Sequence, residues 1–486
     1  MEARYAKITR QIIFSYAALI LAILFGPILI FLLTRNLTVE GYGVYSLLSA
    51  TVVVLSIVLE LGISHYIIAR LSGTAEERRT KELWSLTLFE LSFLLLFMAL
   101  VFLTPLHKYA LGILKLEGYA TAFQLIFAII FISAIYRIFS GYFIAEQRIE
   151  LERVLSFLEK NLWISFLIAF FLITNKLTIS SAIGLWLAGE AITILLAIHF
   201  LRKDLFKQPR LFDSAVIQRA MVFGAPLIIF LIGSWIITVG DKYILNHYLG
   251  AGIVGLYSLP YSLASLIVSL SVVVISVLYP YIAERWNKGK DYDFLLNIAM
   301  KYGLVIVIPL TIGVFVLREA IITLVSGPRY LDSVPLVIPL VIFPFFAFLN
   351  YLYIQVLMLQ NRTKLIAAVY LAGGTLNIIL NLILIPSIGM YGAAASTVVS
   401  YAFITLVLFF PARAPMKMNY GFLKVPRILG ASILVGIFFF FASPGVAATK
   451  IIVMFAGVLL YGLLLFVFKV FTKEELAFIR GLLKKS

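Results

Sequence analysis

The chain has 486 residues, 63% hydrophobic and 13% charged, with a mean hydropathy of +1.07, more apolar surface than a water-soluble core can hide. Its net charge of +16 sits between apolar runs, which reads as topology signal and attraction to anionic lipids rather than nucleic-acid binding. With no cysteine and four scattered histidines (His65, His107, His199, His247), disulfides, thiolate catalysis and a Cys/His metal site are excluded.

Met1 to Arg10 is basic and runs into an apolar stretch without a small-residue cleavage site, predicting an uncleaved first span. About twenty apolar residues cross the hydrocarbon. On that basis the pattern predicts about fourteen spans, near 12–33, 44–69, 83–104, 120–144, 154–174, 179–200, 220–240, 253–281, 302–318, 334–359, 364–385, 389–410, 428–442 and 449–468. Lys and Arg test the count. Alternate segments, beginning with the N-terminus, hold 30 of the 39, the intervening ones hold 8, and Arg137 falls inside a span. This asymmetry predicts an all-α polytopic protein of the plasma membrane with both termini cytoplasmic. No polar segment is long enough for a soluble domain. In the tail, 471–486, Thr472 and Glu475 have capping-box spacing before the stripe Leu476, Ile479, Leu482, Leu483, predicting an amphipathic interfacial helix.

The sequence repeats. Tyr42-Gly43-Val44-Tyr45-Ser46-Leu47 after span one parallels Val254-Gly255-Leu256-Tyr257-Ser258-Leu259 after span seven. Tyr66-Ile-Ile-Ala-Arg70 and Tyr281-Ile-Ala-Glu-Arg285 then close the two spans, with a mismatch of three residues that requires an indel or bulge. Six spans separate the matches, so the halves have like orientation. The expected domains are an N-lobe, 1–205, a C-lobe, 206–412, spans thirteen and fourteen, 413–470, and the tail. Two lobes with a cleft suit alternating access. A transporter is therefore the first reading, and a duplicated scaffold the second.

Residues Asp241 to Ser258 resemble the span seven to eight junction of Wzx-type polysaccharide flippases, members of the multidrug/oligosaccharidyl-lipid/polysaccharide (MOP) exporter superfamily. Arg35 to Tyr45 looks like the junction after span one, and Ile322 to Leu340 like the span nine to ten link. Asn377-Ile-Ile-Leu-Asn381, Ile385-Pro386, Gly389 and Gly392-Ala-Ala-Ala-Ser396 are similar to spans eleven and twelve. The resemblance covers roughly 8–411. It implies a flippase, not an enzyme, that carries a polyprenyl-(di)phosphate-linked oligosaccharide from the cytoplasmic to the outer leaflet. Alternating access driven by an H+ or Na+ gradient or the membrane potential, a monomer, and no cofactor are expected. Where the lipid II branch has an Arg-Asp pair after the glycine of span one, this chain has Leu29 and Ile30, which argues against peptidoglycan precursor as cargo. Span one also lacks the acidic residue common in multidrug exporters. A multidrug or small-molecule exporter is nevertheless the alternative within transport. An integral-membrane polymerase or glycosyltransferase is the alternative outside it. No nucleotide-binding P-loop is present.

Ionisable groups at membrane depth cost a few kcal/mol and need a partner or water. At ~1.5 Å per residue, Glu60 lies roughly 13 Å and Glu90 and Arg137 roughly 10 Å from the inner ends of spans two, three and four. This predicts a polar cluster that binds substrate or ion, or else a structural salt bridge. Glu190, at the middle of span six, has no partner in the sequence and is a third ion-coupling candidate beside Glu60 and Glu90. Asp241 and Lys242 close span seven, and as adjacent residues are expected to divide, one facing a cleft and one water. Arg35, Arg70 and Arg285 join Arg137 as candidate phosphate contacts. Asn350, Asn377 and Asn381 serve either as sugar contacts or as hydrogen bonds between helices.

Overall fold

The computed structural model describes residues 24–206, 213–442, 447–472 and 475. Among them every regular element is helical. Twelve helices are long and apolar enough to cross a membrane, and a thirteenth span is a bent pair. Leu24–Asn36 (α1) is a shorter apolar helix within and just beyond the expected first span, whose residues 12–23 lie outside the described ones. Thirteen of the fourteen expected spans are thus met among the described residues, and the chain is a multi-pass membrane protein.

The chain divides into two compact units, Ala3–Gly255 and Leu256–Ser486. The first contains α2 (Val39–Leu59), α3 (Ile63–Leu71), α4 (Glu76–Leu103), α5 (Leu106–Ile113), α6 (Ala120–Ala145), α7 (Ile149–Thr174) and α8 (Ile179–Phe206). Next come α9 (Ser214–Trp235), a π-helical turn at Ile236–Gly240, and α10 (Asp241–Leu249). α6 is the hub, packing against α2, α3, α4, α7 and α8. Its sequence suits that place. Small residues at Ala122, Ser133, Ala134, Gly141 and Ala145 are buried between large apolar ones, so neighbours approach closely.

Span two is two helices. It breaks at Glu60–Gly62, where Leu61 (φ 55°) and Gly62 (φ 74°) are left-handed. The matching helix of the repeat, α11 (Ala251–Asn287), runs 37 residues unbroken. The three-residue mismatch is therefore a break in the shorter copy. Glycine is required there, because a Cβ on Gly62 would lie 2.9 Å from Gly224 Cα in α9.

The second unit continues α11 and adds α12 (Asp293–Val316), α13 (Arg318–Ser326), a 3-10 segment at Pro328–Leu336, α14 (Val337–Leu340) and α15 (Phe343–Leu359). Then follow α16 (Thr363–Ile388), α17 (Met390–Met416), α18 (Tyr420–Leu423), α19 (Val425–Phe441) and α20 (Ala447–Val467). Span ten is the bent pair, with 46° between Pro328–Leu340 and Phe343–Leu359 where Pro335, Pro339 and Pro344 remove backbone donors. The Gly392-Ala-Ala-Ala-Ser396 run presses α17 on α16, and a Cβ on Gly392 would meet the Leu384 carbonyl at 2.5 Å. Most of the amphipathic tail lies outside the described residues. Its capping box does form: the Glu475 carboxylate accepts from the Thr472 amide at 2.5 Å, and Thr472 Oγ1 accepts from the Glu475 amide at 3.3 Å. The same carboxylate takes Lys301 Nζ at 2.8 Å, both groups being fully buried.

Candidate functional site

Arg137 projects from the hub helix α6 with its Nε buried and without a hydrogen-bond partner. It lies in electrostatic reach of Glu60, Glu159 and Glu190. Glu60 and Glu90 interact with each other. The structure thus brings Glu60, Glu90 and Arg137 together inside the first unit, and Glu60 and Glu90 are 2% and 0% exposed. Arg137 is partly buried.

Their surroundings separate the acids. Glu60 stands at the break of span two, where its carboxylate accepts a short hydrogen bond from the Ser64 amide and so caps α3. Glu90 in α4 has neither carboxylate oxygen hydrogen-bonded. Glu190 in α8, without a partner in the sequence reading, receives the Trp186 indole N–H at 3.2 Å and has Ser133 of α6 beside it. Sequence reasoning missed Glu152 and Glu159 of α7. Glu152 accepts from Ser140 at 2.9 Å and has Arg153 at 3.4 Å. The signal was present, since seven residues place these two acids on one helix face. It was hidden because a span drawn at 154–174 makes both look like boundary charges.

Asp241 and Lys242 correct an expectation. They are 0% and 8% exposed, so neither faces water. The chain does not end its span there: beyond the π-helical turn it continues helically to Leu249. The remaining candidates scatter. Arg35 and Arg70 are exposed, 5.7 Å above the Phe31 and Phe223 rings respectively. Arg285 is exposed and donates to the Asp291 carbonyl at 2.9 Å. Asn350 joins α15 to α17, accepting from Thr405 at 2.7 Å and donating to the Tyr401 carbonyl at 3.3 Å. Asn381 donates to Asn377 at 2.9 Å, both fully buried.

Two contacts pinch the first unit. At one end Glu82 is a buried hub that accepts from Tyr66 at 3.0 Å and Arg78 at 2.9 Å, with Arg219 at 3.7 Å, tying α3 and α4 to α9. Nearby, Asp213 pairs with Lys81 at 3.4 Å and caps α9. Partial desolvation pushes the Asp213 carboxyl up, but bonds from the Val216 amide and Lys81 outweigh it and hold it below the usual carboxylate range. At the other end the repeat-matched glycines meet. A Cβ on Gly43 would lie 1.8 Å from the Ala251 carbonyl oxygen, and one on Gly255 would lie 2.0 Å from that of Val39. The contact is reciprocal at a constant offset of 212 residues, as local two-fold symmetry demands.

Within the second unit, α12, α15, α17 and α19 enclose a cavity of about 890 Å³. Its walls are apolar, among them Leu304, Val307, Phe345, Phe409 and Leu429, and its one charged lining residue is Arg413.

Charge buried in one unit and an apolar cavity in the other are set in a polytopic helical membrane protein. The model of the polysaccharide biosynthesis protein family matches residues 8–286, more than half of the chain, and the chain belongs to that family. It is 27% identical over 198 residues to an uncharacterized membrane protein of Methanocaldococcus jannaschii, covering 40% of this chain and 39% of the other. It is 24% identical over 310 residues to the probable low-salt glycan biosynthesis flippase Agl15 of Haloferax volcanii, covering 61% and 62%. The chain thus spans under two thirds of either curated relative. Among solved structures, the lipid II flippase MurJ in an inward-closed conformation superposes with a TM-score of 0.77 at 18% identity, covering 94% of this chain and 98% of that one. An inward-facing multidrug resistance MATE transporter of the MOP superfamily gives 0.63 at 14%, covering 81% and 94%. These likenesses establish the MOP fold.

Proposed function

We propose that this chain is a flippase, not an enzyme, that moves a polyprenyl-(di)phosphate-linked oligosaccharide from the cytoplasmic to the outer leaflet of the plasma membrane. The termini are cytoplasmic, and the two repeated lobes alternate in access. The apolar cavity with Arg413 in its lining carries this reading. A volume of about 890 Å³ lies in the range of small-ligand sites, ~300–1,000 Å³. Apart from the Thr311 and Tyr353 hydroxyls the wall is apolar and offers little to a sugar, and a lone guanidinium in that lining suits a lipid chain that ends in phosphate. The first unit, taken by itself, holds polar groups of its own. There the unmet donor of Arg137 and the unbonded carboxylate of Glu90 offer contacts for a headgroup or a coupling H+ or Na+. The Haloferax volcanii relative, a probable glycan biosynthesis flippase, agrees with this class of cargo.

The test is reconstitution of the purified protein in liposomes carrying a fluorescent lipid-linked glycan. A membrane-impermeant reductant should bleach well beyond the outer-leaflet half of the label within minutes. Bleaching that stops at the level of protein-free vesicles, for both mono- and diphosphate carriers, overturns the proposal.

A further inference from the structure

A second cavity, of about 590 Å³, lies at the far end of two helices that line the first, α12 and α19. It has a different chemistry. Arg318, which opens α13, and Lys450, in the first turn of α20, supply two cations, and Glu319 supplies one anion and is exposed. Phe315, Phe439 and Phe440 form an aromatic flank, and Phe440 is 70% exposed. The cations are held rather than loose. Arg318 donates to the Phe315 carbonyl at 2.7 Å and lies 5.1 Å above its ring, and Lys450 donates to Thr323 at 3.1 Å. Each of these partners uses one donor of its cation, and a guanidinium has five and an ammonium three.

Position adds to chemistry. Met300, in the first cavity, and Arg318 stand eighteen residues apart, about 27 Å along a helix. That is close to the ~30 Å thickness of bilayer hydrocarbon. Arg413 marks one end of this track and the Arg318–Lys450 pair the other, so a phosphate at either leaflet level meets a fixed cation.

Resting on the flippase reading and its orientation, we propose that the Arg318–Lys450 pocket binds the phosphate of a phosphorylated isoprenoid lipid in the outer leaflet. Arg318 and Lys450 hold the phosphate oxygens, and Phe439 and Phe440 flank the first isoprene units. The net charge of the three ionised side chains is +1, which favours an anion over a neutral alcohol.

Native mass spectrometry of the full chain tests this with three probes: a polyprenyl phosphate, a polyprenol of equal length, and phosphatidylglycerol. Arg413→Gln serves as background, to silence the other cation. In that background the phosphate should be retained about tenfold more than the alcohol, as one charge-assisted contact implies. Adding Arg318→Gln with Lys450→Gln should abolish the preference, Arg318→Lys with Lys450→Arg should keep it, and Lys108→Gln, an exposed cation of the other unit, should leave it unchanged. Two outcomes overturn the proposal: equal retention of phosphate and alcohol, or equal retention of phosphatidylglycerol that falls in the same variant, which marks a site for bulk lipid. Failure of the liposome assay with this binding pattern intact removes the flippase reading and leaves the site.

Discussion

At the scale of single residues, the acids of the first unit share a low-dielectric setting but not a role. Glu60 is spoken for by the amide it caps, and Glu190 by the Trp186 indole. Glu90 is buried with both oxygens unbonded, so nothing in the fold depends on its charge. Glu90→Gln should therefore leave the unfolding temperature in detergent within about 2 °C of wild type, as expected for a change worth less than ~0.5 kcal/mol. If Glu90 carries the coupling ion, the same variant should lose at least tenfold in gradient-driven flipping. A stable variant with undiminished, gradient-responsive transport removes it from the mechanism. Arg137→Gln should behave oppositely. It removes a cation within electrostatic reach of Glu60, Glu159 and Glu190, and should cost about 1–3 kcal/mol. A thermal melt that matches wild type would show that these acids do not need it. The sequence exposed Glu60, Glu90, Arg137 and Glu190 because a charge inside an apolar run is conspicuous. It concealed Glu152, Glu159 and the buried Lys301–Glu475 pair, since charges at the edge of a run look solvated until tertiary packing covers them.

At the scale of elements, hydropathy located the spans but not all of their ends, which differ by up to nine residues where a helix runs on past the apolar stretch, as at Asp293 and Leu249. Continuity was less legible. The break at Glu60–Gly62 depends on Gly224 of α9 pressing its backbone on the turn, a contact that only folding supplies. The repeat, by contrast, was readable, and it locates the Gly43–Gly255 crossing. Gly43→Ala and Gly255→Ala should each cost about 1–3 kcal/mol through overpacking. Gly252→Ala, whose Cβ would meet nothing within 4 Å, should cost less than ~0.5 kcal/mol apart from helix propensity. The double variant should fall well short of additivity, because the first methyl already parts α2 from α11 and the second then finds room. Denaturant titration of the four proteins measures this. Additive losses would show that the glycines do not share one contact.

At the scale of the whole chain, the proposed orientation rests on counting cations, and the same composition makes it directly testable. Thirty Lys and Arg fall on one set of loops and eight on the other, and the chain has no cysteine to remove before labelling. Single cysteines at Gly73 and Lys288 should be protected in intact cells from an impermeant maleimide and react after lysis. Single cysteines at Lys108 and Asn175 should react without lysis. The four positions interlock. They flank spans three, five and eight, so an extra or missing span anywhere from 73 to 288 changes the order of reactive and protected sites, whereas an inverted protein swaps all four. The charge argument demands the first pattern, because moving thirty cations across the membrane against an inside-negative potential costs ~2.3 kcal/mol per charge for each 100 mV, while moving eight costs far less.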